Sequence, residues 1–386
     1  MTAEAVIAAT TRTPMGRAFK GSLPAERPDD LLAASFRALL AQVPGLDSAE
    51  IEDVYVGCAF PEQRQGMNVA RRAALLAGFA DTVPGTTVNR FCASSLQAIR
   101  MAFHAIRAGE GSCFVAGGLE SISQVDGFPN EEEMHPRLHG PDAVADVYIS
   151  MGLTAENVAR RYGIERVEMD AFAQRSQERA VAAQRDGFFD REIAPYRREN
   201  GAMIAADDGP RPDSSLERLA ELKPAFLEDG TVTAGNACPF SDGAASVLVL
   251  SKERARELEL NPRARIVASA VSAVEPELMG VGPIAAVRTV LARAGMTIAD
   301  IDVFEVNEAF AAQVIPVCRE SGIDPFDPRV NPHGGAIALG HPYGMTGARI
   351  MGTLLNGLES LDGTVGLETM CVAGGQGMAM VVERMS

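Results

Sequence analysis

The sequence predicts a layered α/β protein made of two similar halves, and three observations carry that prediction. Apolar strand-like runs alternate with helical patterns from Val6 to Gly117 and again from Ala244 onward, as in sheets covered by helices. The second series can be laid beside the first, which indicates an internal duplication of about 120 residues, too long and too few-fold for a solenoid. Between the two lies a stretch of polar loops and surface-type helices that breaks the alternation and reads as an inserted subdomain. The expected division is 1–119 plus 243–264 for the N-terminal half, 120–242 for the insertion and 265–386 for the C-terminal half.

The elements follow in order. Val6–Ala9 reads as a strand before the turn Thr11–Arg17, and Asp29–Gln42 as a helix burying Leu31, Leu32, Phe36, Leu39 and Leu40. Ile51–Cys58 is a strand and Asn68–Ala77 a helix. In Thr86–Ile99 a β-branched segment ends at Cys92, and Leu96, Ile99, Phe103 and Ile106 recur at helical spacing until Gly109. Ser112–Gly117 is another strand. The insertion carries helices at Ala155–Tyr162 and Glu168–Arg185 and a loop at Asn200–Ser215, while Glu131–Glu133 is read as a solvated acidic face. Ala244–Leu250 is a strand, and Arg265–Val267 begins the second series. There Ile284–Ala294 corresponds to Leu31–Leu40, Ile301–Val306 to Ile51–Val56, and the Gly340–His341 junction to the Cys92 junction.

Composition narrows the function. The chain has 386 residues, enough for a large core, and a net charge of −16, which argues against nucleic acid or an anionic membrane as partner. Any anionic ligand must therefore meet local positive charge. Tryptophan is absent, so platforms for stacked bases are not expected. The six cysteines, at 58, 92, 113, 238, 318 and 371, show neither C-x-x-C nor zinc-ligand spacing. A reduced cytoplasmic protein without a metal is expected. The start lacks a signal-peptide pattern, and no apolar run is long enough to span a bilayer.

Four stretches carry chemistry. Cys92 is expected at a helix N-terminus, where amides and the dipole lower a thiol pKa; a small buried cysteine is the alternative. If the halves are pseudo-symmetric, the Gly-rich run Asn331–Arg349 faces it, and His341 there supplies a base; a structural histidine is the alternative. Met370–Gly377 places a second cysteine before a Gly-rich turn and matches neither a P-loop nor a dinucleotide fingerprint. Asn307-Glu308-Ala309-Phe310 follows a strand directly.

Together these stretches resemble the thiolases. Asn89-Arg90-Phe91-Cys92 with Ser95-Leu96-Gln97-Ala98 is similar to their nucleophile motif, Asn307–Phe310 to their NEAF motif, Gly335–Pro342 to their GHP motif and Cys371–Gly377 to their C-x-G-G-G-x-G motif. The likeness runs in order from Arg12 to the C-terminus. It implies a five-layered α-β-α-β-α architecture and cleavage of 3-ketoacyl-CoA through an acyl-cysteine. By the resemblance Cys92 is the nucleophile, His341 takes its proton, and Cys371 exchanges protons with the enolate and with CoA. His341 and a water held by Asn307 would stabilise the enolate oxygen, and the amides of Cys92 and Ala373 the tetrahedral intermediate. Family members usually carry glycine where Ala373 stands.

Arg211 matches the arginine that stacks on the adenine of coenzyme A. Met151, Phe226, Ala234, Met279 and Phe310 match the pantetheine tunnel, with core packing as the alternative for Met and Phe. Cys238 and Ser150 replace the serine and histidine of acetoacetyl-CoA-handling members. Coenzyme A and acyl-CoA would be substrates, with no permanently bound cofactor. A homodimer or homotetramer is implied, with a hydratase/dehydrogenase subunit as a possible partner. The degradative activity is expected; the alternatives are a biosynthetic acetoacetyl-CoA thiolase and a non-catalytic CoA-binding protein of the same fold. Cys371 opposes a ketoacyl synthase, and the missing fingerprint opposes an NAD-dependent dehydrogenase.

Overall fold

In a computed structural model, residues 3–127, 131–140 and 142–385 are described, so the outermost boundaries expected at 1 and 386 lie outside them. The first half runs β1 (Ala5–Arg12), β2 (Gly16–Arg17), α1 (Pro28–Ala41), β3 (Asp53–Gly57), α2 (Val69–Ala77), β4 (Gly85–Val88), α3 (Ser94–Ala108) and β5 (Cys113–Ser121). The inserted region carries α4 (Met151–Tyr162), α5 (Arg166–Arg185), β6 (Tyr196–Arg197), β7 (Met203–Ile204) and α6 (Leu216–Ala220). β8 (Ser241–Ser251) returns to the first half and leads through α7 (Lys252–Glu257) to β9 (Ala264–Ala273). The second half continues with α8 (Gly282–Ala294), β10 (Val303–Val306), α9 (Ala311–Ser321), α10 (Ala336–Leu339), α11 (Thr346–Ser360), β11 (Val365–Val372) and β12 (Gln376–Arg384).

The described residues form a ten-stranded mixed sheet in the order β10-β11-β12-β9-β1-β8-β5-β3-β4, with β2 beside β8, and a small β6–β7 pair. The two halves meet only briefly within it, where Val6 and Ile7 of β1 face Arg265 and Ala264 of β9. Helices cover both outer faces and fill the space between the halves. α1 and α2 bury Leu31, Leu32, Phe36 and Ala73 with Leu248 and Leu250 of β8. The intervening residues Val247 and Val249 point to the opposite face, as the two-residue strand period requires, and meet Leu96 and Ile99 of α3. α11 completes that central layer, with Ile350 and Leu354 beside Met378, Met380 and Val382 of β12. α8 and α9 cover the remaining face with Val287, Val290 and Val314 over Leu367 and Val381. The expected five layers are present.

The duplication extends to local detail. β3 lies parallel to β4 and β5; β10 lies parallel to β11 and makes a single parallel bridge to Val330. Each central helix is preceded by a 3-10 turn, Phe91–Ala93 before α3 and Tyr343–Met345 before α11. Cys92 therefore corresponds to Gly344, and His341 precedes the matching turn. Several expected boundaries move. α4 and α5 begin at Met151 and Arg166, and β5 continues through Gly117-Gly118 to Ser121, because its ladder to β8 continues there. The stretch 200–215, expected to be loop, contains β7.

The two central helices approach closely at Gly347. A Cβ there would stand 2.5 Å from the Leu96 backbone nitrogen. Next to it, the Ala348 N–H donates to Ser95 Oγ at 2.9 Å. Gly347→Ala should therefore push α3 and α11 apart and destabilise the fold by about 1–3 kcal/mol, the usual cost of overpacking. A melting midpoint equal to wild type would show that the contact yields freely.

Candidate active site

Cys92 lies in the 3-10 turn, one residue before α3 proper, and is 8% exposed. Phe91 adopts a left-handed φ of 42°. The turn is held locally: Phe91 N–H donates to Asn89 Oδ1 at 2.7 Å, and Ser94 Oγ donates to the Phe91 carbonyl at 2.6 Å. Arg90 donates to Gln97 Oε1 and across to Gln376 Oε1 of the other half, each at 3.0 Å. The backbone N–H groups of Ala373 and of Cys92 itself point at the sulfur and favour the thiolate, but burial outweighs them. The thiol is pushed up to about 12, with the charge of Glu120 adding to the shift. This reverses the lowered pKa expected from a helix terminus: a few amide dipoles do not offset loss of solvent around the ion.

His341 is buried, and its tautomer follows from its neighbours. Thr346 Oγ1 donates its one proton to the Pro342 carbonyl at 2.8 Å, so it accepts from His341 Nδ1–H at 2.6 Å. Nε2 is left without a proton, 3.3 Å from Asn307 Nδ2. Burial and the nearby positive charge of Arg349 lower the imidazole to about 3. His341 is thus a neutral ring that presents a lone pair. Asn307 Oδ1 is buried and has no hydrogen-bond partner among the described residues.

Cys371 sits at the end of β11, just before the turn Ala373-Gly374-Gly375, where both glycines take left-handed φ. Burial holds its thiol well above the ordinary range, and a negative charge on Cys92 or Cys238 would raise it further. The structure brings Cys92, His341, Asn307, Cys371 and the Ala373 amide to one place.

Residues to which the sequence assigned no role hold this place together. Glu120, at the end of β5, is fully buried. It accepts the N–H groups of Ala59 at 2.8 Å, Phe60 at 3.3 Å and Gly344 at 2.9 Å, and Gln65 Nε2 at 2.6 Å. Glu308 does the same for the Gly-rich run, accepting Ser176 Oγ at 2.6 Å, Asn331 Nδ2 at 2.7 Å and Ile337 N–H at 3.1 Å. Thr346 orients His341. The carboxyl group after Gly-Gly-Leu at a strand end was the only local signal for Glu120; nothing local marked Thr346.

The proposed coenzyme A residues divide. Phe226 packs against Phe310, ring centroids 6.1 Å apart, and over Gly152 beside Met151 at the start of α4. Met279 is buried in the same outer cluster as Phe310. Arg211 is half-buried, its N–H donating to Gln177 Oε1 at 2.8 Å, and the charge of Arg17 adds to the burial that lowers its pKa. Ala234 is exposed.

The comparisons with known proteins agree with this geometry. Models of the thiolase N-terminal domain and the thiolase C-terminal domain match residues 5–253 and 260–384. The chain belongs to the thiolase family. It is 46% identical over 385 residues to the 3-ketoacyl-CoA thiolase of Cronobacter sakazakii, covering 98% of this chain and 99% of that one. It is 44% identical over 401 residues to the beta-ketoadipyl-CoA thiolase of Pseudomonas aeruginosa, covering 100% of both. The crystal structure of the Bacillus anthracis acetyl-CoA acetyltransferase superposes with a TM-score of 0.91 at 38% identity, covering 100% of this chain and 99% of that one.

In this thiolase Cys92 and His341 rest as a neutral thiol and a neutral imidazole. Alkylation of Cys92 by iodoacetamide should rise about tenfold per pH unit from pH 7 to 9 without levelling, since only the thiolate reacts. A rate already on a plateau at neutral pH, measured on the Cys92 peptide, would mean a resting thiolate.

Proposed function

We propose that this thiolase cleaves 3-ketoacyl-CoA with coenzyme A, giving acetyl-CoA and a shortened acyl-CoA through an acyl group carried on Cys92. The observation that carries this is the meeting of two thiols, Cys92 and Cys371, beside one neutral imidazole, with the Cys92 and Ala373 amides directed at the Cys92 sulfur. A hydrolase needs one nucleophile and one base; cleavage of a carbon-carbon bond needs a further proton carrier for the carbanion.

The steps balance on these groups. As Cys92 Sγ attacks the keto carbon, His341 Nε2 takes its proton. The alkoxide that forms lies toward the Cys92 and Ala373 amides. It collapses, the C2–C3 bond breaks, and the electron pair remains on C2 as the acetyl-CoA enolate, whose oxygen faces His341 and the Asn307 amide. Cys371 gives its proton to C2. A second CoA then gives its thiol proton to Cys371 and attacks the acyl-cysteine, and the departing Cys92 recovers its proton from His341. Ala373 serves as well as the more usual glycine, because only its N–H is used.

Coenzyme A and acyl-CoA are substrates here, and no cofactor takes part in any step. The Phe226–Phe310 pair beside Met151, with Met279, suits the pantetheine arm. The half-buried Arg211, close to Arg17, supplies positive charge for the nucleotide end in a chain of net charge −16. The same residues would run the condensing direction, so the biosynthetic reading differs in direction and not in chemistry. For an assembly, β4 ends the sheet, with its outer edge open to a second copy in a homodimer or homotetramer. A hydratase/dehydrogenase partner remains a proposal of the family resemblance. Six free cysteines suit the cytoplasm, and no described helix is long and apolar enough to cross a membrane.

Two variants test the roles. Cys92→Ser should lower thiolysis by at least about a thousandfold and leave no acyl adduct in quenched mixtures. Undiminished turnover would reject the nucleophile. Cys371→Ala should still take an acyl group from acyl-CoA yet stop exchange of the acetyl α-protons; normal exchange would remove Cys371 from its step.

A further inference from the structure

Tyr343 opens the turn after His341, and its ring stands edge-on to the imidazole, centroids 4.9 Å apart at 80°. Two more rings meet it. Phe60, from the loop after β3, lies 5.9 Å away at 69°, and Phe240, just before β8, lies 6.5 Å away at 89°. Phe240 is 49% exposed, and Phe60 and Tyr343 are half-buried, so the rings form a wall on open space and not a sealed core.

The wall borders the reacting sulfurs. Besides burial, the charges of Cys238 and Cys92 raise the Tyr343 phenol pKa well above its ordinary value. The segment 237–240 then fixes the direction. Ala237 bridges to Phe310 on the pantetheine side, a thiolate at Cys92 would raise the Cys238 thiol, and Phe240 reaches Tyr343. The segment thus leads from the pantetheine side, past Cys238, to the aromatic wall beside His341, which leaves that wall for the tail of a Cys92-bound acyl group.

The local charge has one sign. Apart from the thiols, the charged groups acting on Cys92, Cys238 and Tyr343 are Glu120 and Glu308. Glu120 holds the N–H groups of Phe60 and Gly344, directly behind the wall. Arg349, which acts on His341, is buried among Glu305, Glu192 and Glu368.

We propose that Tyr343, with Phe60 and Phe240, is the acyl-tail wall that selects 3-ketoacyl-CoA substrates with uncharged apolar tails and rejects tails ending in a carboxylate. The proposal rests on the thioester chemistry assigned to Cys92. An apolar tail gains by covering exposed ring surface. A terminal carboxylate would meet the negative charge of Glu120 behind the rings, and among the described residues no cation acts on Tyr343. This choice separates the two kinds of relative named above, one of which is named for a dicarboxylic acyl group.

The test compares 3-oxohexanoyl-CoA with 3-oxoadipyl-CoA, six-carbon acyl groups that differ in a methyl against a carboxylate end. Wild-type kcat/KM should favour the methyl end by about a hundredfold or more, lost apolar contact on the rings adding to repulsion by Glu120. In Tyr343→Arg, checked for a native melting profile, that ratio should fall at least about tenfold, because the new guanidinium receives the carboxylate. A wild-type ratio near one or in favour of 3-oxoadipyl-CoA overturns the proposal, and this holds whether or not the variant folds. A folded Tyr343→Arg enzyme with an unaltered ratio overturns it too. If wild type cleaved neither substrate nor acetoacetyl-CoA, the reaction assigned to Cys92 would fail, and the wall with it. Ready cleavage without discrimination removes the wall alone.

Discussion

One buried carboxylate ties the two halves of this thiolase together beside Cys92 and the turn after His341. Glu120 accepts N–H groups from the loop after β3 and from the turn before α11, so each half presents its central helix to the other in a fixed register. The Ser95–Ala348 bond and the bare face of Gly347 against Leu96 extend that contact along the helices. Burying a carboxyl group is costly unless its oxygens are filled, and three backbone N–H groups, the Gln65 amide and the Cys58 thiol fill these. Its negative charge then acts on everything nearby, Cys92 included.

That environment explains how the site stays quiet until substrate arrives. Burial drives Cys92 and His341 toward their neutral forms, the thiol upward and the imidazole downward. Arg349 reinforces the second shift from within α11, where Glu305, held up to about 8 by burial, faces it. In the proposed reaction proton transfer is thereby linked to bond formation: the Cys92 sulfur becomes strongly nucleophilic only as its proton leaves for His341 Nε2. Thr346 contributes by fixing the tautomer, without which the lone pair would face away from the site.

Much of this was legible in the sequence. The two strand-helix series and the insertion could be read from hydrophobic period, and the runs around Cys92, Asn307, His341 and Cys371 stood out at strand ends, while the roles expected of those residues came from the thiolase resemblance. What escaped depended on contacts between distant parts of the chain. Glu120 reads as an acid at the edge of a loop until Gly344, 224 residues away, is seen to donate to it. Tyr343 reads as a turn residue until Phe60 and Phe240 converge on it. The Cys92 pKa was read in the wrong direction, because a local motif reveals its amide dipoles and says nothing of how completely the fold removes water. Boundaries such as the start of α4 moved because ladder partners and helix packing, not propensity, decide where an element ends.

The account stands or falls on the resting state of His341, and nitrogen NMR of the enzyme labelled at histidine measures it directly. With five histidines in the chain, loss of one signal in His341→Asn assigns the resonance. The account predicts a neutral ring protonated at Nδ1, with an unprotonated Nε2, unchanged from pH 5 to pH 8 as follows from a pKa near 3. An imidazolium at pH 7, with both nitrogens protonated and a thiolate beside it, would contradict it.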